Sequence, residues 1–545
     1  MSKYMKNKDK DKDKDSQSRK KEWTHKRNNE RKGSQRSKRG MRNSTAFPLK
    51  ETKRNNERRG QRGMRNSTLE LFHMPLCKGL KFSDCELVIL RQAVDKAEEI
   101  QGKQVANSPE IKHIIGIVEN FIRSKQLIIY GGESINRLLP KSDQFYNRDI
   151  EIPDLDFYSS NALKDAKELV DIYIKEGFVE VEAKSGQHHG TFKVYVNFIP
   201  VADITHMPKE LFNAIKRDTV KINGINCSPP NLLRMAMYLE LSRPRGDVSR
   251  WEKVLKRLTL LNKHYPLTAD QCEHIDFQRT MADPDSSEKI YENIRNTLVD
   301  QGAVFFGGYT LSLYSQYMPE HLRKHLEKIP DFDVLSEEPL IAAQIIKERL
   351  TDINIKNVKI IKRPPVGEII APHYEIRVGK DTVVLIYEPL ACHSYNIVKV
   401  DGYDIKIATI DTMLSFYLAF LYTDRPYYDK DRILCMSKYL FEVQEKNRLE
   451  QKGVLKRFSI NCMGHQKTVE EMRAEKAEKF VLLKDKKGTE EYDEWFLRYR
   501  PLDTKEEKEH KKKDKKHIKP IKTKKTVKKG NTKTKKSKKL FKWLP

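Results

Sequence analysis

Asp154 and Asp156 stand one residue apart inside the apolar run "IPDLDFYSS" (152–160). Along a strand, residues i and i+2 point to the same face, so the two carboxylates project side by side. Like charges that close disfavour ionisation unless a cation lies between them. The pair is therefore either part of a solvated edge strand or a site for a divalent cation. A third carboxylate bears on the choice. "TFKVYVNFIPVADITHM" (191–207) is rich in β-branched and aromatic residues and predicts strand, bend, strand, ending on Asp203. If that strand lies beside the first, three carboxylates converge. Two divalent cations held this way clamp the attacking and leaving oxygens of an in-line phosphoryl displacement. An all-aspartate ligand set suits Mg²⁺ or Mn²⁺.

The elements upstream fit the same chemistry. In "QLIIYGGESIN" (126–136), Leu127 to Tyr130 predict a short buried strand, broken by Gly131-Gly132 and followed by Ser134 and a helix-compatible run. Glycines let backbone N–H groups approach an anion, and a helix N-terminus adds favourable partial charge. Alone, such a pair is more often an ordinary turn. Downstream, Asn231 is the expected cap of a buried helix, and Ser249 with Glu252 has the spacing of a capping box. The next helix carries an apolar stripe of Trp251, Val254, Leu255 and Leu258. Arg250, Lys253 and Arg257 line a neighbouring stripe, either a solvated face or a cradle for a triphosphate or RNA backbone.

These motifs occur twice. "AVFFGGYTLSLY" (303–314) repeats the strand, the glycine pair and a hydroxyl at Thr310, and "IPDFDVLS" (329–336) repeats "IPDLDFYS". First glycine and first aspartate are 23 residues apart in one copy (131 to 154) and 24 in the other (307 to 331). Arg-Pro-x-x-Asp-x-x-Arg then recurs at 243–250 and 425–432, where structure and catalysis are equally good explanations. The expected third carboxylate of the second copy is Glu388, with Asp381 as its rival. The first copy is the expected catalytic one and the second a degenerate scaffold.

Net charge is +28, but it is carried by the ends. Residues 1–68 hold 24 Lys/Arg against 8 Asp/Glu, and residues 505–545 hold 19 against 4. Both ends lack apolar periodicity and are expected to be disordered, and the first contains a short internal duplication. Dense mobile cations suit either sequence-blind attraction to a phosphate backbone or a solubilising or targeting role. Seven cysteines without a Cys-x-x-Cys pair argue against a zinc site and a disulfide framework, so a reducing compartment is expected. No secretion signal is visible, and apolar runs such as "LSFYLAFLY" (414–422) are too short to span a bilayer.

Gly-Gly-x-Ser, Asp-Leu-Asp and a later third Asp resemble the nucleotidyltransferase superfamily, with a longer gap than usual between the glycines and the aspartate pair. More narrowly, "LELSRPRGDVSRWEKVLKRL" together with these motifs resembles the catalytic subunit of poxvirus-type poly(A) polymerases, in the version encoded by giant mimivirus-like DNA viruses. The resemblance covers roughly residues 70–450. It implies ATP and an RNA 3′ end as substrates, and pyrophosphate as product. Asp154, Asp156 and Asp203 would hold the metals, with Gly131, Gly132 and Ser134 on the phosphates and Arg250 and Lys253 nearby. It also implies a homodimer or a separate processivity subunit, no membrane, and a cytoplasmic viral factory or virion as location.

The expected fold is α/β, in the α+β sense, with two tandem nucleotidyltransferase-like domains, each a small mixed sheet with flanking helices. The expected boundaries are a tail at 1–68, a catalytic domain at 69–270, a degenerate copy at 271–450, a helical segment at 451–504 and a tail at 505–545. Other RNA nucleotidyltransferases (CCA-adding or uridylyl) and a non-catalytic RNA-binding relic remain the alternatives.

Overall fold

The computed structural model describes residues 77, 79–279, 281, 284–323, 326 and 331–502. Both expected tails lie outside these residues. The chain divides into Met1–Cys85 and Glu86–Pro545, and both sheets belong to the second unit.

The first sheet is built from β1 (Ile128–Ile129), β2 (Asp156–Ser159), β3 (Val181–Ser185), β4 (Thr191–Val196), β5 (Ile199–His206), β6 (Val220–Ile222) and β7 (Ile225–Cys227). Its order is β3-β4-β5-β2-β1-β7-β6. β2 runs parallel to β5 and β1 to β7; the other neighbours are antiparallel. The period of two is plain in β4, where Phe192, Val194 and Val196 are buried and Thr191, Lys193 and Tyr195 lie on the other face. The expected bend is a tight hairpin whose two central residues, Asn197 and Phe198, have φ of 50° and 65°. β5 does not end on Asp203, as the sequence suggested, but runs on to His206.

The second sheet repeats the first strand for strand. It comprises β8 (Val304–Phe305), β9 (Phe332–Leu335), β10 (Val358–Arg363), β11 (His373–Val378), β12 (Asp381–Tyr387), β13 (His393–Val400) and β14 (Tyr403–Ala408), ordered β10-β11-β12-β9-β8-β14-β13. The parallel pairs, β9 with β12 and β8 with β14, fall at the corresponding places. So does a register shift: between Val194 and Tyr195 in one sheet and between Ile376 and Arg377 in the other. Two short strands extend the edges. β15 (Cys462–Met463) joins β13, and β16 (Arg498–Tyr499) returns to pair with β3 of the first sheet. The segment expected to be helical at 451–504 thus holds helices Val469–Leu483 and Glu490–Phe496 and also these strands.

The repeats meet through corresponding helices. Pro230–Leu241 follows β7, Ile410–Phe420 follows β14, and the two pack together in one continuous apolar core. The 410–420 helix is buried along its whole length, which is why its sequence is apolar all round.

Local details correct three expectations. Helix Pro230–Leu241 starts with Pro229 at the N-cap and Pro230 inside, while the Asn231 amide oxygen accepts from the Arg234 guanidinium. Ser249 and Glu252 form no capping box: Asp247 accepts from the Ser249 N–H and hydroxyl, and Glu252 pairs with Lys256 at 2.6 Å. Six cysteines pair as disulfides, Cys77–Cys85, Cys272–Cys435 and Cys392–Cys462, leaving Cys227 free and buried. The last two bridges close separations of 163 and 70 residues, which short-spacing rules do not see. Among the described residues, no helix is long and apolar enough to cross a membrane.

Candidate active site

Strand β1 stops at a glycine turn because the backbone there must approach other groups closely. Gly131 has φ of 67°, and a Cβ on it would lie 3.0 Å from the Asp156 carboxylate. A Cβ on Gly132 would lie 2.5 Å from the Tyr146 hydroxyl and 2.8 Å from Arg257 Nη1. Helix Gly131–Leu138 starts at this turn and is pinned by Glu133, 1 % exposed, which pairs with Arg137 and Arg148. Ser134 is fully buried, and its hydroxyl accepts from the Ser228 N–H at 3.1 Å. It ties this helix to the segment after β7.

Asp156 and Asp203 are register partners on β2 and β5, and Asp154 precedes β2 by two residues. The backbone fixes this arrangement: the Tyr130 N–H donates to the Asp156 carbonyl at 2.9 Å, and the Asp203 N–H donates to the Leu155 carbonyl at 3.1 Å. Burial first, and then the charges of Asp154 and Asp203, push the Asp156 carboxyl up to about 8. The Asp154 carboxyl is also raised, by desolvation and by Asp203. Sequence motifs do not point to Lys193, whose ammonium holds the Asp203 carboxylate from the adjacent strand β4. Burial opposes its charge, but the Asp203 hydrogen bond and charge outweigh burial, and its pKa is raised.

Among the described residues, no three His, Cys, Asp or Glu side chains already form a metal-binding group. Asp203 points to Lys193. Asp154, Asp156 and Asp203 nevertheless fit divalent cations: they are hard oxygen donors on adjacent strands, and the raised Asp156 marks a concentration of negative charge that nearby Lys193 and Arg250 offset only in part.

The basic stripe lies at the same site. Arg257 packs over the Phe145 ring, 4.5 Å from its centroid, and its Nη2 donates to the Tyr146 hydroxyl at 2.7 Å. Arg250 pairs with Glu240 at 2.9 Å, and its charge also reaches Asp156. Desolvation and the neighbouring Arg257 and Arg250 lower the pKa of Lys253, and Asp154 pulls the other way. In the repeated Arg-Pro-x-x-Asp-x-x-Arg, the aspartate has a structural duty in both copies: Asp247 and Asp429 each cap the helical turn that follows.

The second copy has the same backbone but different chemistry. Arg279 Nη2 lies 2.6 Å from Asp331 and 3.0 Å from Asp333, both nearly buried. Burial opposes the charge of Arg279, the two carboxylates outweigh it, and its pKa is raised. A guanidinium thus occupies the place between the aspartates. The strand register also removes the third carboxylate. Asp333 pairs with Leu385, not with Glu388 or Asp381, so an apolar side chain stands where Asp203 stands in the first sheet. The second copy differs from the first in both respects.

Duplicated mixed sheets, each with a glycine turn facing an aspartate pair, define a protein of nucleotidyltransferase-like fold. Residues 116–247, which hold the glycine turn and all three aspartates of the first copy, match the family model described as "Poly(A) polymerase catalytic subunit". This is the family that the sequence motifs resemble.

Two similar proteins, each named "Putative poly(A) polymerase catalytic subunit", come from Acanthamoeba polyphaga mimivirus and African swine fever virus (strain Badajoz 1971 Vero-adapted). The first is 30% identical over 210 residues, 38% of this chain and 34% of the relative. The second is 34% identical over 197 residues, 35% of this chain and 41% of the relative. The chain therefore matches well under half the length of these curated relatives. The crystal structure of the Megavirus polyadenylate synthase superposes with a TM-score of 0.64 at 20% identity, covering 86% of this chain and 92% of that one. At that identity the likeness concerns the fold.

Proposed function

We propose that the first copy transfers AMP from ATP to RNA 3′ ends without a template. One observation carries this reading: Asp156 and Asp203 are register partners on parallel strands, Asp154 stands beside them, and the glycine turn closes on the same carboxylates. The match to the poly(A) polymerase catalytic subunit model falls on this region, and the similarity to viral proteins named putative poly(A) polymerase catalytic subunits supports the choice of reaction.

In this reading the backbone N–H groups of Gly131 and Gly132 and the N-terminus of helix Gly131–Leu138 receive the triphosphate. Arg250 and Lys253 add charge from the neighbouring helical segment. Mg²⁺ or Mn²⁺, when bound by Asp154, Asp156 and Asp203, neutralises phosphate charge and lowers the pKa of the RNA 3′-hydroxyl. The hydroxyl gives up its proton to water, its oxygen forms a bond to the α-phosphorus, the bond from that phosphorus to the bridging oxygen breaks, and pyrophosphate departs with the electron pair. The chain's contribution is positioning and charge stabilisation, without a covalent enzyme intermediate.

The test is extension of a labelled RNA with Mg²⁺ or Mn²⁺ and ATP, CTP, GTP or UTP supplied separately. Long tails from ATP alone support the proposal. Efficient extension from UTP, or addition of only one or two residues from CTP, would replace it with another nucleotidyltransferase.

A further inference from the structure

We propose that single-stranded RNA reaches the carboxylates across the open face of the first sheet, entering over its β16–β3 edge. Arg498, Lys184 and Lys193 serve as phosphate ligands, and Tyr195 as a stacking surface for a base. This rests on the transferase reading above and adds the route of its acceptor.

The argument is one of register. Arg498 pairs with Lys184, Lys184 with Lys193, Lys193 with Asp203, and Asp203 with Asp156. Residues directly opposite each other share a face, so these five form one row across the sheet. Strands lie about 4.8 Å apart, so the row runs roughly 19 Å from the edge to the catalytic pair. The other face of β3 and β4 is closed: Val181, Ala183, Phe192 and Val194 are buried. The row itself is open, with Lys184 43% and Lys193 37% exposed. The half-buried Tyr195 lies beside it, its ring centroid 4.3 Å from Lys184 Nζ. A cationic groove with an aromatic ring is the usual composition of a single-strand site.

Acidic residues along this edge are engaged within it: Glu182 pairs with Lys184 at 2.5 Å and with Arg500 at 3.0 Å. Lys193 is held by Asp203, a carboxylate assigned above to a cation, so cation binding frees its ammonium for a phosphate. The second sheet supplies the contrast. Its corresponding row reads Ile361, Glu375, Leu385 and Asp333, with no cation in it. Its two carboxylates are buried and already paired, Glu375 with Arg363 and Arg377 and Asp333 with Arg279, so these four residues offer a phosphate no ligand.

The test is fluorescence anisotropy of a short 5′-fluorescein oligo(A) with the full chain, in Ca²⁺ and without ATP, over a range of salt. Lys184→Glu/Arg498→Glu should weaken binding about tenfold or more and reduce the salt slope by about 0.7 for each phosphate no longer neutralised. Lys359→Glu/Lys362→Glu, on the corresponding edge strand of the second sheet, should leave both unchanged. If the melting temperature of the first double variant falls, the exposed Lys184→Glu alone carries the test. Affinity and salt slope equal to wild type would overturn the route, even if that variant still extends RNA with ATP, and would leave this edge to an acidic protein partner. A wild-type chain that neither binds nor extends RNA would overturn the reading on which the route rests.

Discussion

The two aspartate pairs sit on the same backbone and hold different charges. Around Asp154 and Asp156, a third carboxylate stands in register and the Asp156 carboxyl is raised, the charge distribution on which the proposed cation site rests. Around Asp331 and Asp333, Arg279 supplies the positive charge internally, and Leu385 replaces the third carboxylate. Duplication preserved strand order, parallel pairs and even the register shift, because these bury the core. The carboxylates survive in the second copy as part of a buried ion cluster. An Asp-x-Asp motif is therefore not by itself a sign of activity; what faces it decides.

The largest effect should come from carrying the second sheet's residue into the first. Asp203→Leu copies Leu385 and should lower RNA extension by about 10⁴-fold or more, with little loss of melting temperature, since a cation site and not the core is removed. Substantial residual extension would show that Asp203 is not a metal ligand.

Next, Arg279→Ala leaves two buried carboxylates without their partner and should cost about 3–5 kcal/mol of stability. Added Mg²⁺ or Ca²⁺ should raise the melting temperature of this variant by more than that of the wild type, in which only the first copy takes a cation. An unchanged melting temperature would mean that Arg279 is not the internal counter-ion.

A smaller effect distinguishes the second domain by pH. Burial first lowers the pKa of His373 to about 4, and its ring sits between the Ala371 carbonyl and the Tyr427 hydroxyl. Between about 4 and the ordinary value of about 6.5, the unfolded chain binds a proton that the folded chain does not. Stability therefore rises with pH through that window and is lost as pH falls through it. His373→Gln should lose less melting temperature than wild type between about pH 7.5 and pH 5. Equal losses would exclude His373 as a cause.

The smallest effect concerns Ser134. Ser134→Ala should cost about 1 kcal/mol and leave the KM for ATP unchanged, because its hydroxyl serves Ser228. A raised KM would return it to the phosphate site.

What the sequence showed was local. The glycine turn, the aspartate pair, the duplication and most buried stripes follow from spacing within a few residues or from comparing one half with the other. What it hid depends on pairing. Lys193 meets Asp203 only after a register shift in the β4–β5 hairpin, and Leu385 meets Asp333 across a parallel pair of strands far apart in sequence, whereas the sequence pointed to Glu388 or Asp381. Arg279 lies 52 and 54 residues before the aspartates it pairs with, and β16 crosses back to β3 from the far end of the described chain. The distant disulfides escaped for the same reason.

The most direct measurement compares Asp154→Ala/Asp156→Ala with Asp331→Ala/Asp333→Ala in primer extension with ATP. Each variant's folded fraction is checked by thermal melting. The first should abolish extension while staying folded. The second should melt earlier, with Arg279 left unpaired, yet extend RNA in proportion to its folded fraction. Extension that survives the first pair of substitutions, or vanishes in a folded form of the second, would contradict the assignment of catalysis to the first copy.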